Sequence, residues 1–91
     1  MMNTDTSDAA VIDIKEPIRR FILEYAAGRG VTEINDHDAL LQTNVIDSLG
    51  VFRLIGFLED TFPLTVEDAD MKPENFESLS KIESFVAEKL G

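Results

Sequence analysis

Three segments of this chain carry apolar residues at spacings of three and four, and this pattern constrains the fold more than any other feature. Because an α-helix turns once every 3.6 residues, such spacing places the apolar residues on one helix face. The three stripes are Val11, Ile14, Ile18, Phe21, Ile22 and Tyr25, then Leu54, Ile55, Leu58 and Phe62, then Leu79, Ile82, Phe85, Val86 and Leu90. The sequence therefore predicts an all-α protein whose core includes Phe21 and Phe85.

Proline and glycine set the predicted ends of the first helix. Pro17 is compatible only with a first helical turn, so the regular helix should begin near Lys15 or Glu16. Gly28 and Gly30 are expected to end it. Before it, residues 1–10 are polar and acidic and are expected to be a disordered leader to a domain that spans residues 11–91.

The remaining helices follow from the same signals. The second is predicted from about Ser48 to Thr61, since Pro63 follows, and a short one over residues 72–76 has Pro73 in its first turn. The third apolar stripe predicts the last helix. The expected fold is a small four-helix bundle, with three main helices, one short helix and a long first loop.

The loops and the last helix start carry weaker signals. Ser80 with Glu83 fits a capping box at the start of the last helix, and Ser78 is an alternative cap. Residues 29–46 form a long connection with scattered apolar groups, which we expect to be packed down by its own side chains. The acidic run at residues 67–70 is expected to be a solvated loop.

Size and charge exclude several classes of function. The 91 residues allow one small domain, which is unfavourable for a self-contained enzyme, and the absence of cysteine excludes disulfides and cysteine-based zinc sites. A net charge of −10 opposes binding to nucleic acid and to anionic membranes and favours partners with basic patches. With no stretch near the roughly 20 apolar residues of a membrane span and no secretory signal, we expect a cytoplasmic monomer.

One motif carries most of the chemical information. Asp47, Ser48 and Leu49 stand where the second helix is predicted to begin. A serine there projects its hydroxyl beside backbone N–H groups that have no partner within the helix, and both those donors and the helix dipole favour a phosphate. Serine and aspartate at a helix start are also common caps, so Asp47 could instead accept the N–H of residue 49 or 50.

The motif, the apolar spacing after it, the long loop before it and the small acidic chain together resemble the acyl carrier protein family, over roughly residues 12–90. The resemblance implies a stand-alone carrier that holds acyl or aminoacyl intermediates as thioesters on a 4′-phosphopantetheine arm attached to Ser48. It implies that Asp47 helps a phosphopantetheinyl transferase engage its metal, and that Leu49 completes the motif. The implied partners are that transferase, a loading ligase, and downstream synthases or transferases.

The second helix should also dock partner enzymes. The candidate docking residues are Val51, Arg53, Gly56, Phe57, Glu59 and Asp60. Exposed Val51 or Phe57 would form the apolar part of the patch, although Phe57 could equally belong to the core, and Leu49 and Phe52 should flank the core stripe. Glycines at 50 and 56 disfavour a helix, so we expect a partner or the arm to approach them closely.

The residues themselves do not identify the cargo that the arm would carry. Carriers of fatty acid synthesis usually have acidic residues where this chain has Gly50 and Arg53, whereas Glu59 and Asp60 keep the later acidic pair. A dedicated aminoacyl or D-alanyl carrier, loaded by an adenylating ligase, is therefore as compatible with the sequence as a fatty-acid carrier.

Two other classes of function remain as alternatives. One is an acidic helical interaction module without a prosthetic group, and the other is a minimal hydrolase that uses Ser48, which no nucleophile elbow supports. No metal site is expected, because the segment Asp36-His37-Asp38 lacks the later ligands of a calcium loop and is typical of a polar turn.

Overall fold

The computed structural model describes residues 14–91, so the predicted leader and Val11 lie outside the described residues. Within 14–91 there are four α-helices and two short 3-10 helices, without strands. The α-helices are α1 (Lys15–Ala26), α2 (Ser48–Thr61), α3 (Pro73–Phe76) and α4 (Leu79–Leu90), and the 3-10 helices are Ala27–Arg29 and Asp68–Asp70. The prediction of an all-α fold with three main helices and one short helix is confirmed.

Local sequence signals explain the helix ends. α1 begins at Lys15 with Pro17 in its first turn, and Gly30 has a left-handed φ of 83° that ends the 3-10 helix after α1. α4 is capped by Ser78, whose Oγ accepts the N–H of Lys81 at 3.2 Å. The capping box at Ser80 is therefore wrong, because Ser80 lies inside α4 and its N–H donates to the carbonyl of Asp36 at 2.9 Å.

The core lies between α1, α2 and α4, since α1 contacts both of the other long helices. The large side chains that these three helices bury fully are Ile18, Ile22, Leu54, Leu58, Leu79, Ile82 and Val86. Phe85 is buried as predicted and packs edge-on against Phe76. Phe21 is only half-buried and stacks on Phe57, with ring centroids 4.8 Å apart, so it lies at the edge of the core rather than within it.

The long first connection is packed down, as predicted. Its residues Ile34, Leu40 and Ile46 are buried in the same core as the helices. Residues 36 and 37 form the expected polar turn, and Asp36 pairs with both Lys15 and Arg19 of α1. Within residues 14–91 no cluster of side chains has the composition of a metal site.

The second connection differs from the solvated loop that the sequence predicts. Residues Asp68–Asp70 form a 3-10 helix, in which Glu67 and Asp70 make a reciprocal capping box. Asp70 also pairs with Lys89 of α4 at 2.7 Å, and this ammonium group is the main reason that the pKa of Asp70 lies below its usual value. The prediction is wrong for Asp70 because its partner is 19 residues further along the chain. Among the described helices, none is long and apolar enough to pass through a lipid bilayer.

Candidate functional site

Ser48 is the first residue of α2 and its side chain is exposed. The residue before it, Asp47, is extended (φ −118°, ψ −169°), and its carboxylate accepts the N–H of Gly50 at 2.9 Å. Asp47 is thus the N-cap of α2, which is the capping role that the sequence also allows. The cap leaves the Ser48 hydroxyl at the helix start, on the outside of the protein.

Asp47 also receives hydrogen bonds from α1 and from the 3-10 helix that follows it. The hydroxyl of Tyr25 donates to Oδ1 at 2.6 Å, and the guanidinium of Arg29 donates to Oδ2 at 2.7 Å. These hydrogen bonds hold the pKa of Asp47 well below its usual range. The bond from Tyr25 has the largest effect, followed by those from Gly50 and Arg29. The same bond raises the pKa of Tyr25, because it stabilises the neutral phenol.

Tyr25 and Arg29 are site residues that the sequence patterns do not identify as such. Tyr25 is predicted only as a member of an apolar stripe, and Arg29 only as the start of a loop. A general signal exists for Tyr25, since a tyrosine on a core-facing stripe needs a partner for its hydroxyl. No local pattern identifies Arg29, because its partners lie 15 to 18 residues away.

The two glycines of α2 have different surroundings. A Cβ at Gly50 would lie 2.8 Å from Cε2 of Tyr25 and 3.1 Å from Cβ of Ile46, so this glycine makes room for the tyrosine ring. The expectation that a partner or the arm explains Gly50 is therefore wrong. A Cβ at Gly56 would meet nothing within 4 Å, so no neighbour among the described residues explains this glycine, and the expectation stays a prediction for that position.

An apolar pocket of about 240 Å³ lies beside Ser48, between α2 and the segment that leads into α3. Besides Ser48, its lining consists of Leu41, Val51, Phe52, Met71, Lys72, Pro73 and Phe76. Leu49, Phe52 and Met71 are the large apolar side chains exposed in this region, at 54%, 64% and 40% of their surface. The apolar surface near Ser48 thus comes from Leu49 and Phe52, whereas Val51 and Phe57 are half-buried.

The predicted docking residues do not form one patch. Four of them, Arg53, Gly56, Phe57 and Asp60, line a groove between α1 and α2. Val51 instead lines the pocket beside Ser48, and Glu59 accepts the N–H of Val66 at 2.8 Å.

Comparison with known proteins gives two relatives of similar length. The chain is 38% identical over 77 residues to a D-alanyl carrier protein of Streptococcus suis strain 98HAH33, and the match covers 85% of this chain and 95% of that protein. It is 36% identical, with the same coverage, to a D-alanyl carrier protein of Streptococcus suis strain 05ZYH33. No family model matches the chain. No solved structure gives a significant match.

Proposed function

The chain belongs to the phosphopantetheine carrier protein family that includes these D-alanyl carrier proteins, and we propose that it carries D-alanine as a thioester on a 4′-phosphopantetheine arm attached to Ser48. As a carrier protein it is not itself an enzyme but shuttles a substrate for other enzymes. The observation that carries the proposal is the exposed hydroxyl of Ser48 at the capped start of α2, beside an apolar pocket.

The residues around Ser48 fit a phosphodiester-linked arm. The hydroxyl is accessible to an enzyme from outside. The N–H groups of Ser48 and Leu49 are donors that the helix leaves available for a phosphate, whereas the N–H of Gly50 is taken by the Asp47 cap. The pocket offers apolar side chains and one cationic side chain, Lys72, next to the attachment point. When bound, the arm supplies the thiol that a protein without cysteine lacks.

Attachment of the arm requires only a simple displacement at Ser48. Oγ attacks the pantetheine-linked phosphorus of coenzyme A, an O–P bond forms, and the pyrophosphate P–O bond breaks to release adenosine 3′,5′-bisphosphate. The serine proton passes to a base of the phosphopantetheinyl transferase, which also supplies the metal. Asp47 stabilises the helix start, and we propose that it also contributes to recognition by that transferase.

The proposed cargo rests on the relatives, whose names describe carriers of D-alanine. It agrees with the sequence departures at Gly50 and Arg53 from the acidic pattern of fatty-acid carriers. An adenylating ligase would load the arm with D-alanine, and a transferase would accept it. The exposed Leu49 and Phe52, together with the groove lined by Arg53, are the surfaces that we propose these enzymes contact.

The first experiment tests the attachment. The purified protein is incubated with coenzyme A, magnesium and a broad-specificity phosphopantetheinyl transferase, and its intact mass is measured. We expect a gain of one phosphopantetheine, which Ser48→Ala abolishes. Ser84→Ala is the matched control, because Ser84 is also an exposed helical serine, and it should be modified as the wild type is.

A folded protein that gains no mass, beside a control carrier that does, would contradict the proposal and favour the interaction module without a prosthetic group. Hydrolysis of an activated ester by the unmodified protein, lost in Ser48→Ala, would instead indicate the hydrolase. The cargo is tested next, by supplying D-alanine, L-alanine or a fatty acid to the modified protein with ATP and the matching ligase. Preferential loading of D-alanine is expected, and preferential loading of the fatty acid would overturn this assignment.

A further inference from the structure

Arg29 joins the end of the first helical segment to the residues that lead into Ser48. Its Nη2 donates to Oδ2 of Asp47 at 2.7 Å, and its Nη1 donates to the carbonyls of Asn44 and Val45, the latter at 3.3 Å. The guanidinium also lies over the ring of Tyr25, 5.5 Å from its centroid. One side chain thus holds three of the four residues that precede Ser48.

The segment that Arg29 contacts includes an uncommon backbone conformation. Asn44 has a φ of 60°, a left-handed conformation that residues other than glycine adopt infrequently. On its other side the segment is tied to Leu40, whose carbonyl accepts the N–H groups of Val45 and Ile46 at 2.9 and 3.2 Å. The loop that ends at Asp47 is therefore restrained by Leu40 on one side and by Arg29 on the other.

We propose that Arg29 is a positioning residue for the modification of Ser48, acting through Asp47 and the carbonyls of Asn44 and Val45. This inference rests on the proposed function. A transferase must bring the hydroxyl of Ser48 in line with a phosphorus atom, and a serine whose preceding backbone is already held loses less conformational freedom on the way there. Arg29 makes that fixation before the enzyme arrives.

The role is separable from stability. Arg29 and Asp47 form an exposed ion pair, with side chains 40% and 42% accessible, and such pairs contribute little to the stability of a domain. The buried core does not include Arg29. The cap bond from Gly50 and the bond from Tyr25 do not involve Arg29, so the helix start itself should survive its replacement.

The test compares Arg29→Gln and Arg29→Lys with Arg20→Gln, which removes the same charge from an exposed position on α1. We measure kcat/KM for transfer of phosphopantetheine from coenzyme A, and the thermal unfolding transition of each variant. Arg29→Gln should lower kcat/KM by about tenfold with a transition that stays cooperative. Arg29→Lys should fall between it and the wild type, because an ammonium lacks the planar fork that spans several acceptors. Arg20→Gln should match the wild type.

A second readout follows the restraint itself. In Arg29→Gln, 15N relaxation should show increased motion of the backbone amides of Asn44 and Ser48, with the rest of α2 unchanged. Wild-type kcat/KM or unchanged motion would overturn the inference, as would faster modification of Arg29→Gln. An equal loss in Arg20→Gln would also overturn it, because net charge would then be the cause. If the wild type accepts no phosphopantetheine, the proposed function fails; if only the Arg29 comparison fails, that function stands.

Discussion

Alanine at the two glycines of α2 should have opposite effects on stability. Both glycines lie in the same helix, and the intrinsic preference for alanine, about 0.8–1.0 kcal/mol in a helix interior, applies in full to Gly56 and as an upper limit to Gly50, which is in the first turn. At Gly56 nothing within 4 Å meets the added Cβ. Gly56→Ala should therefore raise the free energy of unfolding by about 0.5–1 kcal/mol.

At Gly50 the added Cβ would meet atoms that cannot easily give way. It would lie 2.8 Å from the ring of Tyr25, about 0.6 Å inside ordinary contact, and 3.1 Å from Cβ of Ile46. Ile46 is fully buried, and the ring is held by its hydroxyl on Asp47 and by Arg29 above it. Overpacking of this kind costs about 1–3 kcal/mol, which exceeds the gain in helix preference. Gly50→Ala should be less stable than the wild type by up to about 2 kcal/mol.

Thermal and urea unfolding, followed by circular dichroism, measure both effects. For a domain of this size 1 kcal/mol corresponds to about 4–8 °C in Tm, so the two variants should be well separated. We expect stability to increase from Gly50→Ala through the wild type to Gly56→Ala. Gly50→Ala at or above the stability of the wild type would refute the reasoning, because the contact with Tyr25 would then not outweigh the helix preference of alanine.

Two further predictions concern the core and the cap. Phe85→Ala should destabilise the protein by about 3–5 kcal/mol, because Phe85 is buried. Phe21 is only half-buried at the edge of the core, so Phe21→Ala should cost about 1–2 kcal/mol. Equal losses in urea unfolding would contradict this assignment of burial. Asp47 has a lowered pKa, so its contribution to stability is complete above the unfolded-state value of about 3.9 and is lost as the pH falls through the folded-state pKa. Tyr25→Phe removes the largest cause of that shift and should raise the pKa of Asp47 in a 13C NMR titration, and an unchanged pKa would count against the bond.

Much of the helical architecture can be read from the sequence because its determinants are local. The start of α2 at Ser48 and its end at Thr61 are confirmed, since the cap at Asp47 and the proline at 63 act within a few residues of the ends. Where two local signals compete, the sequence does not decide between them. Ser78 and Ser80 are both plausible caps, and the carbonyl of Asp36, in the long first connection, accepts the N–H of Ser80.

The surroundings of Ser48 are visible only in three dimensions. The motif predicts the serine and the capping aspartate from adjacent residues. Tyr25 and Arg29 lie 22 and 18 residues before Asp47, and no periodicity or cap connects them to it. Gly50 is explained by the ring of Tyr25, which is also distant in sequence, so no local pattern predicts this contact.

Residue order alone specifies the helices, the acidic charge and the position of Ser48 at a helix start, because spacing, capping residues and composition act over a few residues. The packing of the helices establishes that Asp47 is held by three donors, that Leu49 and Phe52 are exposed near Ser48, and that Asp70 pairs with Lys89. These features could not be predicted because packing brings together side chains whose distance along the sequence carries no local signal.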